Sequence, residues 1–328
     1  MTIEMLLAWL CLVGGCALSA GLTGALLPRL RRANIRQHVR DDGPESHLTK
    51  AGTPSMGGLA IHASLLILVL VLAVGMGGLS GKTWAVVAFI AGMALVGFVD
   101  DYEKLRRTTH YGLGARIRLA LEFAFAGLLV WYLSAQQPGQ LVSGLTIASL
   151  PSAGWLWAIL AAVIAVGSAN AVNLTDGLDG LAGGLTAICG VGLAFGCWAV
   201  GEVELALLAL AVAGASAGFL WHNAAPAKVF MGDVGSIGLG AALGAIAIAA
   251  RVELLFALVA LVFVVETLSV IAQVVSYQTT GRRVLRMAPL HHHFELCGWA
   301  ETAIVVRAWV IGACLALTGV LIAVVAAL

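Results

Sequence analysis

The chain has 328 residues, of which 61% are hydrophobic and only 11% are charged, and its mean hydropathy is +1.00. A soluble domain carries about 25% charged residues, so this composition excludes an ordinary water-soluble fold. The formal net charge is +1, and the total therefore says nothing about binding partners.

Runs of about 20 apolar residues, the length that a helix needs to cross a bilayer, recur along the whole chain. Glycine accounts for 40 residues, and small residues let membrane helices pack closely. We therefore predict an all-α fold, a single polytopic integral membrane domain over residues 1–328 with ten transmembrane helices. The predicted spans are approximately 5–27, 58–78, 83–99, 118–135, 153–171, 181–200, 204–221, 235–250, 254–277 and 304–327.

The lysines and arginines are divided unevenly between the two ends of the predicted bundle. Sixteen of the eighteen lie with the loops that follow odd-numbered spans, and only Lys82 and Arg251 fall on the other side. The positive-inside rule therefore predicts that these loops are cytoplasmic and that both termini are periplasmic. All seven aspartates lie on the same predicted side, so we expect the chemistry at the cytoplasmic face.

Two motifs precede the fourth span. The segment HLTKAGTPSMGG carries Lys50 beside a turn, where a lysine can bind phosphate as a point charge or simply obey the positive-inside rule. The segment GFVDDYEK brings Asp100 and Asp101 together at the end of the third span. Adjacent carboxylates at a membrane boundary repel each other, and Mg²⁺ would offset that cost; a solvated helix end is the alternative interpretation.

Two glycine-rich segments follow. In SANAVNLTDGLDGLAGG, the residues Asn170, Asn173, Asp176 and Asp179 recur every three positions at the end of the fifth span. Amides and carboxylates alternating in such a turn favour a metal–phosphate or nucleotide site over a plain polar loop. In AKVFMGDVGSIGLG, Asp233 lies between glycines where the eighth span opens. Backbone amides at a helix start favour phosphate, and the carboxylate can hold its Mg²⁺.

The last two spans add an acid and three histidines. Glu266 lies within the ninth span, where an acid indicates either a functional group or a protonated interhelical hydrogen-bond donor. The segment RMAPLHHHFELCGW, in the loop before the tenth span, contains His291, His292 and His293. Three consecutive histidines cannot all face one metal on a regular helix, so phosphate hydrogen bonding or a pH-poised role is favoured over zinc.

Together these motifs resemble the phospho-N-acetylmuramoyl-pentapeptide-transferase family, a branch of the polyprenyl-phosphate N-acetylhexosamine-1-phosphate transferases. The resemblance extends from DDGPESHLTKAGTPSMGG to RMAPLHHHFELCGW, about four-fifths of the chain. NLTDGLDGL and FMGDVGS are typical of the superfamily, and PLHHHFE is typical of the peptidoglycan branch. The sequence departs from the family pattern at Arg118 and Cys297, where lysine is expected, and at His222 and Ala225, where Phe and Pro are expected.

The resemblance implies a Mg²⁺-dependent phosphoglycosyl transferase, multi-pass in the bacterial inner membrane. The donor would be UDP-N-acetylmuramoyl-pentapeptide and the acceptor undecaprenyl phosphate in the lipid bilayer, and the products would be UMP and the first lipid intermediate of peptidoglycan synthesis. No nucleic acid partner is expected, and a homodimer is left open. The resemblance implies catalytic roles for Asp100, Asp101, Asp233, His291, His292 and His293, metal binding by Asp233 and Asp176, and substrate binding by Lys50, Lys104, Asn170, Asn173, Asp176, Asp179, Asn223 and Phe230.

Several alternatives stay open from the sequence. The nearer one is a member of the same superfamily with a simpler UDP-N-acetylhexosamine donor, against which the PLHHHFE segment argues. The more distant one is a secondary transporter, but transporters bind substrate near the bilayer midplane, whereas these acids gather at one surface. The reaction itself is either a single in-line displacement, which we favour, or a two-step path through a carboxylate nucleophile.

Overall fold

A computed structural model describes residues 2–33, 35, 52–107, 112–136 and 154–327. Within these ranges the chain forms helices and no strands, and ten helices are long and apolar enough to cross a membrane. The predicted all-α membrane bundle is therefore confirmed. Lys50 lies outside the described residues. The side of the membrane that each end of the bundle faces stays a prediction.

We number the helices α1 to α12 in chain order, and α9 and α11 are the two that are too short to span a bilayer. The bounds are α1 Ile3–Arg32, α2 Gly58–Gly75, α3 Gly81–Arg107, α4 Ala115–Gln136, α5 Gly154–Thr175, α6 Leu181–Ala199, α7 Val203–Asn223, α8 Gly232–Ala250, α9 Glu253–Val259, α10 Leu261–Thr280, α11 Leu290–Leu296 and α12 Glu301–Ala327. Helix α1 includes a π-helical turn over Leu10–Gly14.

Three predicted boundaries are wrong in ways that shape the site. The third span, predicted to end at residue 99, continues as α3 to Arg107 and so carries Asp100, Asp101 and Lys104 on one helix. The ninth span, predicted as one helix over 254–277, is broken at Ala260 into α9 and α10. The histidine segment, predicted to lie in a loop, forms the short helix α11.

Helix α8 lies at the centre of the bundle and is buried along nearly its whole length. Its neighbours approach closely because the facing residues are small. A Cβ at Gly97 of α3 would collide with the carbonyl oxygen of Asp233, and one at Gly240 of α8 would collide with that of Ser168 in α5. Such close backbone contacts stabilise membrane bundles, in which lipid tails supply little hydrophobic driving force. Helix α8 therefore holds the C-terminal ends of α3 and α5 beside its own N-terminal end.

Candidate active site at one end of the bundle

Three carboxylates from two helices meet at this end of the bundle. Asp100 and Asp101 lie near the end of α3, and Asp233 lies in the first turn of α8. One oxygen from each of the three lies within 4.8 Å of the others, although Asp100 and Asp101 are almost fully buried. Because like charges in a buried place repel strongly, this arrangement needs cations to stabilise it.

Lys104 supplies the first of these cations. It lies one helical turn beyond Asp100, so its ammonium group reaches back over the cluster. Its Nζ is 2.7 Å from Asp100 Oδ2, 2.9 Å from Asp233 Oδ2 and 3.6 Å from Asp101 Oδ1. The lysine that the resemblance assigned to a substrate phosphate therefore contacts all three carboxylates. The backbone N–H of Val234 adds a further hydrogen bond to Asp101, at 3.0 Å.

Arg118 of α4 supplies the second cation. Its Nη1 lies 3.4 Å from Asp233 Oδ2, and its Nη2 donates to Asn170 Oδ1 at 3.3 Å. Its Nε lies 3.5 Å from Glu122, a fully buried carboxylate one turn further along α4. Asn173 of α5 donates to the second oxygen of Asp233 at 3.0 Å. Helices α3, α4, α5 and α8 therefore each contribute polar side chains around Asp233.

The three clustered carboxylates form a chemically suitable site for a divalent cation. Mg²⁺ prefers oxygen ligands at about 2.1 Å, so opposite ligands lie about 4.2 Å apart, close to the spread of these oxygens. Counting only the side chains in this contact network, the four carboxylates outnumber the two cations by two charges, which one divalent ion balances. Among the described residues, Asp176 is not part of this group of three.

Asp176 and Asp179 lie in the turn that joins α5 to α6, and their environments differ. Burial, together with the charges of Asp233, Asp101 and Asp179, raises the pKa of Asp176 to about 7. Asp179 instead accepts a hydrogen bond from the backbone N–H of Ala227 at 2.8 Å. The acid that the resemblance assigned to substrate therefore also fastens this turn to the loop before α8.

Asn223 fastens the same turn from the other side. Its amide oxygen accepts from the N–H of Gly180 at 3.1 Å, and its amide nitrogen donates to the carbonyl oxygen of Val229 at 3.0 Å. Gly180 has a φ of +82°, a conformation that glycine adopts without strain. The buried Asn223 side chain is thus engaged with backbone on both sides, which favours a positioning role over direct nucleotide contact.

Phe230 lies in the loop that leads into α8, where it pairs with the segment before α2. Its N–H donates to the carbonyl oxygen of Pro54 at 2.8 Å, and its carbonyl oxygen accepts from Gly57 at 2.9 Å. Phe230 is half-buried and lies two residues before α8, whose first turn carries Asp233. Its partial exposure leaves the ring able to stack on a planar ligand.

The side chains of the three histidines lie in different surroundings. His291 is buried, and its Nδ1 lies 3.1 Å from Glu266 Oε2. The backbone N–H of His291 also donates to Glu266, at 3.3 Å. The chain after α10 thus folds back so that α11 reaches the intramembrane acid. Whether Glu266 is a functional acid or a protonated interhelical hydrogen-bond donor stays a prediction.

The second ring nitrogen of His291, Nε2, faces the turn after α5. A Cβ at Gly177 would collide with His291 Nε2, so glycine makes room for the ring. Within the described part of the chain this buried nitrogen has no hydrogen-bond partner. His292 instead contacts Glu295 at 2.7 Å, and His293 accepts a hydrogen bond from the N–H of Arg286 at 3.1 Å. The ring of His291 therefore packs against the turn that carries Asp176.

Two family models match the chain. Glycosyl transferase family 4 matches residues 83–251, which is just over half of the chain and includes the carboxylate cluster. The phospho-N-acetylmuramoyl-pentapeptide-transferase signature 1 matches residues 50–61, beginning at Lys50. A phospho-N-acetylmuramoyl-pentapeptide-transferase of Shouchella clausii (strain KSM-K16) is 43% identical over 305 residues, covering 91% of this chain and 92% of that protein. The chain belongs to the phospho-N-acetylmuramoyl-pentapeptide-transferase family.

Other members of the phospho-N-acetylmuramoyl-pentapeptide-transferase family give the same result. The proteins of that name from Bacillus mycoides (strain KBAB4) and Bacillus cereus (strain AH187) are each 42% identical over 314 residues, covering 94% of this chain and 95% of the relative. The family assignment made from the motifs is therefore confirmed, including the choice of the peptidoglycan branch. This chain is a transferase, and its described residues include ten helices that are long and apolar enough to cross a membrane.

The sequence motifs missed one residue of the contact network. Glu122 is the only acid in the predicted fourth span, 118–135, and it lies one turn from Arg118. An acid in an apolar run, four residues after an arginine, is a signal that an ion pair faces the interior.

Proposed function

We propose that the chain transfers phospho-N-acetylmuramoyl-pentapeptide from UDP-N-acetylmuramoyl-pentapeptide to undecaprenyl phosphate, with release of UMP. The observation that carries this proposal is the convergence of Asp100, Asp101 and Asp233 with two cations at one end of a membrane bundle. Such a site suits a reaction between a soluble anionic nucleotide and an anionic lipid headgroup. The names and identities of the relatives supply the substrates.

The proposed step is a single in-line displacement at phosphorus. An oxygen of the lipid phosphate forms a bond to the sugar-linked phosphorus of the donor. The bond from that phosphorus to the bridging oxygen breaks, and the electron pair leaves with UMP. A phosphate monoester, with a second pKa of about 6, is already largely dianionic at pH 7, so the acceptor needs little help from a general base.

The contribution of the protein is mainly electrostatic positioning. The three clustered carboxylates, the two phosphates of the donor and the acceptor phosphate all lie close together during the reaction, so each fixed cation lowers the repulsion between them. We assign this role to Lys104 and Arg118, whose contacts with Asp233 hold them at the site before substrate arrives. Lys50 is proposed as a further phosphate partner on the basis of its motif alone.

The same cluster is proposed to hold Mg²⁺ through Asp233, Asp100 and Asp101. When bound, this ion would neutralise charge on the pyrophosphate of the donor. The resemblance implied that Asp176 is a metal ligand. We propose instead that it accepts a hydrogen bond from a water bound to the ion or from a substrate hydroxyl. Asn173 fixes Asp233 through its 3.0 Å hydrogen bond, so the carboxylate keeps its orientation.

The remaining site residues are proposed to bind substrate. His291 Nε2 is the buried polar atom best suited to a phosphate oxygen, since Glu266 fixes the ring through the other nitrogen. His292 and His293 support α11 in this orientation. Phe230 is proposed to stack on uracil, and Asn170 to act with Arg118 at the cluster.

The decisive experiment is UMP release by purified protein with each candidate donor. We expect turnover with UDP-N-acetylmuramoyl-pentapeptide and undecaprenyl phosphate in the presence of Mg²⁺, and loss of turnover with EDTA. Faster turnover with a UDP-N-acetylhexosamine that lacks the peptide would favour the nearer alternative. No UMP release with any donor would contradict a transferase function for this chain.

The proposed location is the bacterial inner membrane, with the site at the cytoplasmic face. The asymmetry of the lysines and arginines supports this orientation. A homodimer is kept as a hypothesis, which size-exclusion chromatography with light scattering in detergent would test.

A further inference from the structure

Residue 118 is arginine where the family resemblance leads to lysine, and the structure shows what surrounds it. We propose that Glu122 is a positioning residue for the transfer reaction and that it is required because residue 118 is arginine. The two side chains act as a unit that orients Asn170 and Asp233. This inference rests on the proposed function and deepens it.

The guanidinium of Arg118 uses nitrogens that lysine does not have. Nη1 faces Asp233 at 3.4 Å, Nη2 donates to Asn170 at 3.3 Å, and Nε faces Glu122 at 3.5 Å. Arginine has a planar fork of fixed directions, whereas lysine has one nitrogen at the end of a flexible stem. Holding the guanidinium toward Asp233 therefore needs an opposite charge at its other edge, and Glu122, 3.5 Å from Nε, supplies that charge.

Glu122 also depends on Arg118. Its side chain is completely buried, and its Oε2 accepts from Asn170 Nδ2 at 2.6 Å. Its Oε1 is buried too and has no hydrogen-bond partner within the described part of the chain, and the guanidinium of Arg118 is the cation that lies beside it, at 3.5 Å. A buried carboxylate that loses its cation is strongly destabilised, whereas loss of both partners costs much less.

Asn170 closes the arrangement. It receives a hydrogen bond from Arg118 through its oxygen and donates to Glu122 through its nitrogen. The ring of contacts therefore fixes the end of α5 next to the carboxylate cluster. Because each member satisfies the others, the effects of substitutions at 118 and 122 are expected to be far from additive.

The test compares Arg118→Lys, Glu122→Gln and the double variant with the wild type. The glutamine keeps an oxygen for Asn170 without a charge, and the lysine keeps a cation for Asp233 without a donor at the Nε position. We expect each single variant to lose about tenfold or more in kcat/KM for UMP release, and the double variant to recover to within about threefold of the wild type.

A second readout avoids turnover. Mn²⁺ binding to the purified proteins, measured by electron paramagnetic resonance without substrates, should weaken by about tenfold in each single variant and recover in the double variant. A role limited to folding would change the melting temperature without this pattern of loss and recovery.

Glu103 and Arg107 offer a matched control pair. They are also four residues apart, their ion pair is 2.8 Å long, and Arg107 is 63% exposed. Arg107→Lys, Glu103→Gln and their double variant should all leave kcat/KM and Mn²⁺ binding close to those of the wild type.

Three results would overturn the inference: wild-type behaviour of Glu122→Gln, a double variant whose loss equals the product of the two single losses, or a double variant that does not fold. If Glu122→Gln alone does not fold, a folded and active double variant still supports the pair. If the wild type releases no UMP, the proposed function fails, while the Mn²⁺ pattern still decides whether the two residues act as a unit.

Discussion

Asp233 is the residue on which the contacts of the site converge, since Lys104, Arg118 and Asn173 all reach its carboxylate. Asp233→Asn removes one charge and one metal-ligand oxygen with almost no change in volume. We expect loss of more than about tenfold in kcat at saturating Mg²⁺, equivalent to at least about 1.4 kcal/mol of transition-state stabilisation. UMP release measures the effect, and Glu103→Gln, an isosteric change at another acid of the same end, is the control.

A melting temperature in detergent close to that of the wild type would show that Asp233→Asn remains folded. Retention of more than about a tenth of wild-type turnover in such a protein would count heavily against the ligand role of Asp233.

Asp176 is the residue whose ionisation should be visible near neutral pH. Its pKa is raised to about 7 by burial and by the neighbouring carboxylates, whereas an unfolded aspartate titrates near about 3.9. The folded protein therefore retains a proton that the unfolded chain releases. The stability from this group is complete below about pH 4 and declines as pH rises to about 7. Without Mg²⁺, the melting temperature should fall across this window more steeply in the wild type than in Asp176→Asn.

Equal slopes in the two proteins would mean that Asp176 is ionised throughout that range. The comparison is made between variants because other groups titrate in the same window, and their contributions cancel in the difference.

Single residues were predictable from the sequence where their chemistry was unusual. Paired acids and an acid between glycines stand out in an apolar chain, and Asp100, Asp101 and Asp233 do form one cluster. Asn223 and Asp179 are equally polar, but their side-chain oxygens accept hydrogen bonds from backbone N–H groups that are 43 and 48 residues away in the sequence. No local sequence pattern distinguishes a side-chain amide that stabilises a turn from one that binds a ligand.

Glycine determines how closely the helices of this bundle approach each other. Gly97 lets α3 approach the backbone of Asp233 so closely that a methyl group would collide with it. Gly97→Ala should therefore push α3 from α8 and lower stability by about 1–3 kcal/mol, the usual cost of overpacking. It should also reduce turnover, because Asp100 and Asp101 move with α3.

Gly127→Ala is the matched control for Gly97→Ala, since a Cβ at Gly127 of α4 meets open space. Melting temperature and UMP release are the two measurements. Equal melting temperatures for the two variants would contradict the close contact between α3 and α8.

The helices were easier to predict than the way they end. Hydrophobic length alone identifies ten spans, because a bilayer demands the same length from each. The break at Ala260 was missed, since the apolar run is continuous through it. Helix α11 was missed because it has only seven residues and is held by the contact of His291 with Glu266 rather than by its own propensity.

The orientation of the whole molecule in the membrane depends on charges distributed along the entire chain. The sequence assigns sixteen of the eighteen basic residues to loops at the end that carries the carboxylate cluster, so we expect that end to face the cytoplasm. Cys297 is exposed and lies 3.7 Å from His293 at this end, which makes it a natural probe. In intact cells an impermeant maleimide should not label Cys297, but it should do so after the membrane is permeabilised.

A cysteine at Ser143, in the predicted outer loop at 139–152, provides the opposite probe, although these residues lie outside those described. In a Cys297→Ser background it should react in intact cells. Permeabilised cells are the control for Cys297. If its contact with His293, and not the membrane, prevents the reaction, Cys297 stays unlabelled after permeabilisation as well. Labelling of Cys297, but not of position 143, in intact cells would place the carboxylate cluster on the outer face. That result would contradict both the predicted orientation and the proposed placement of the site at the cytoplasmic face.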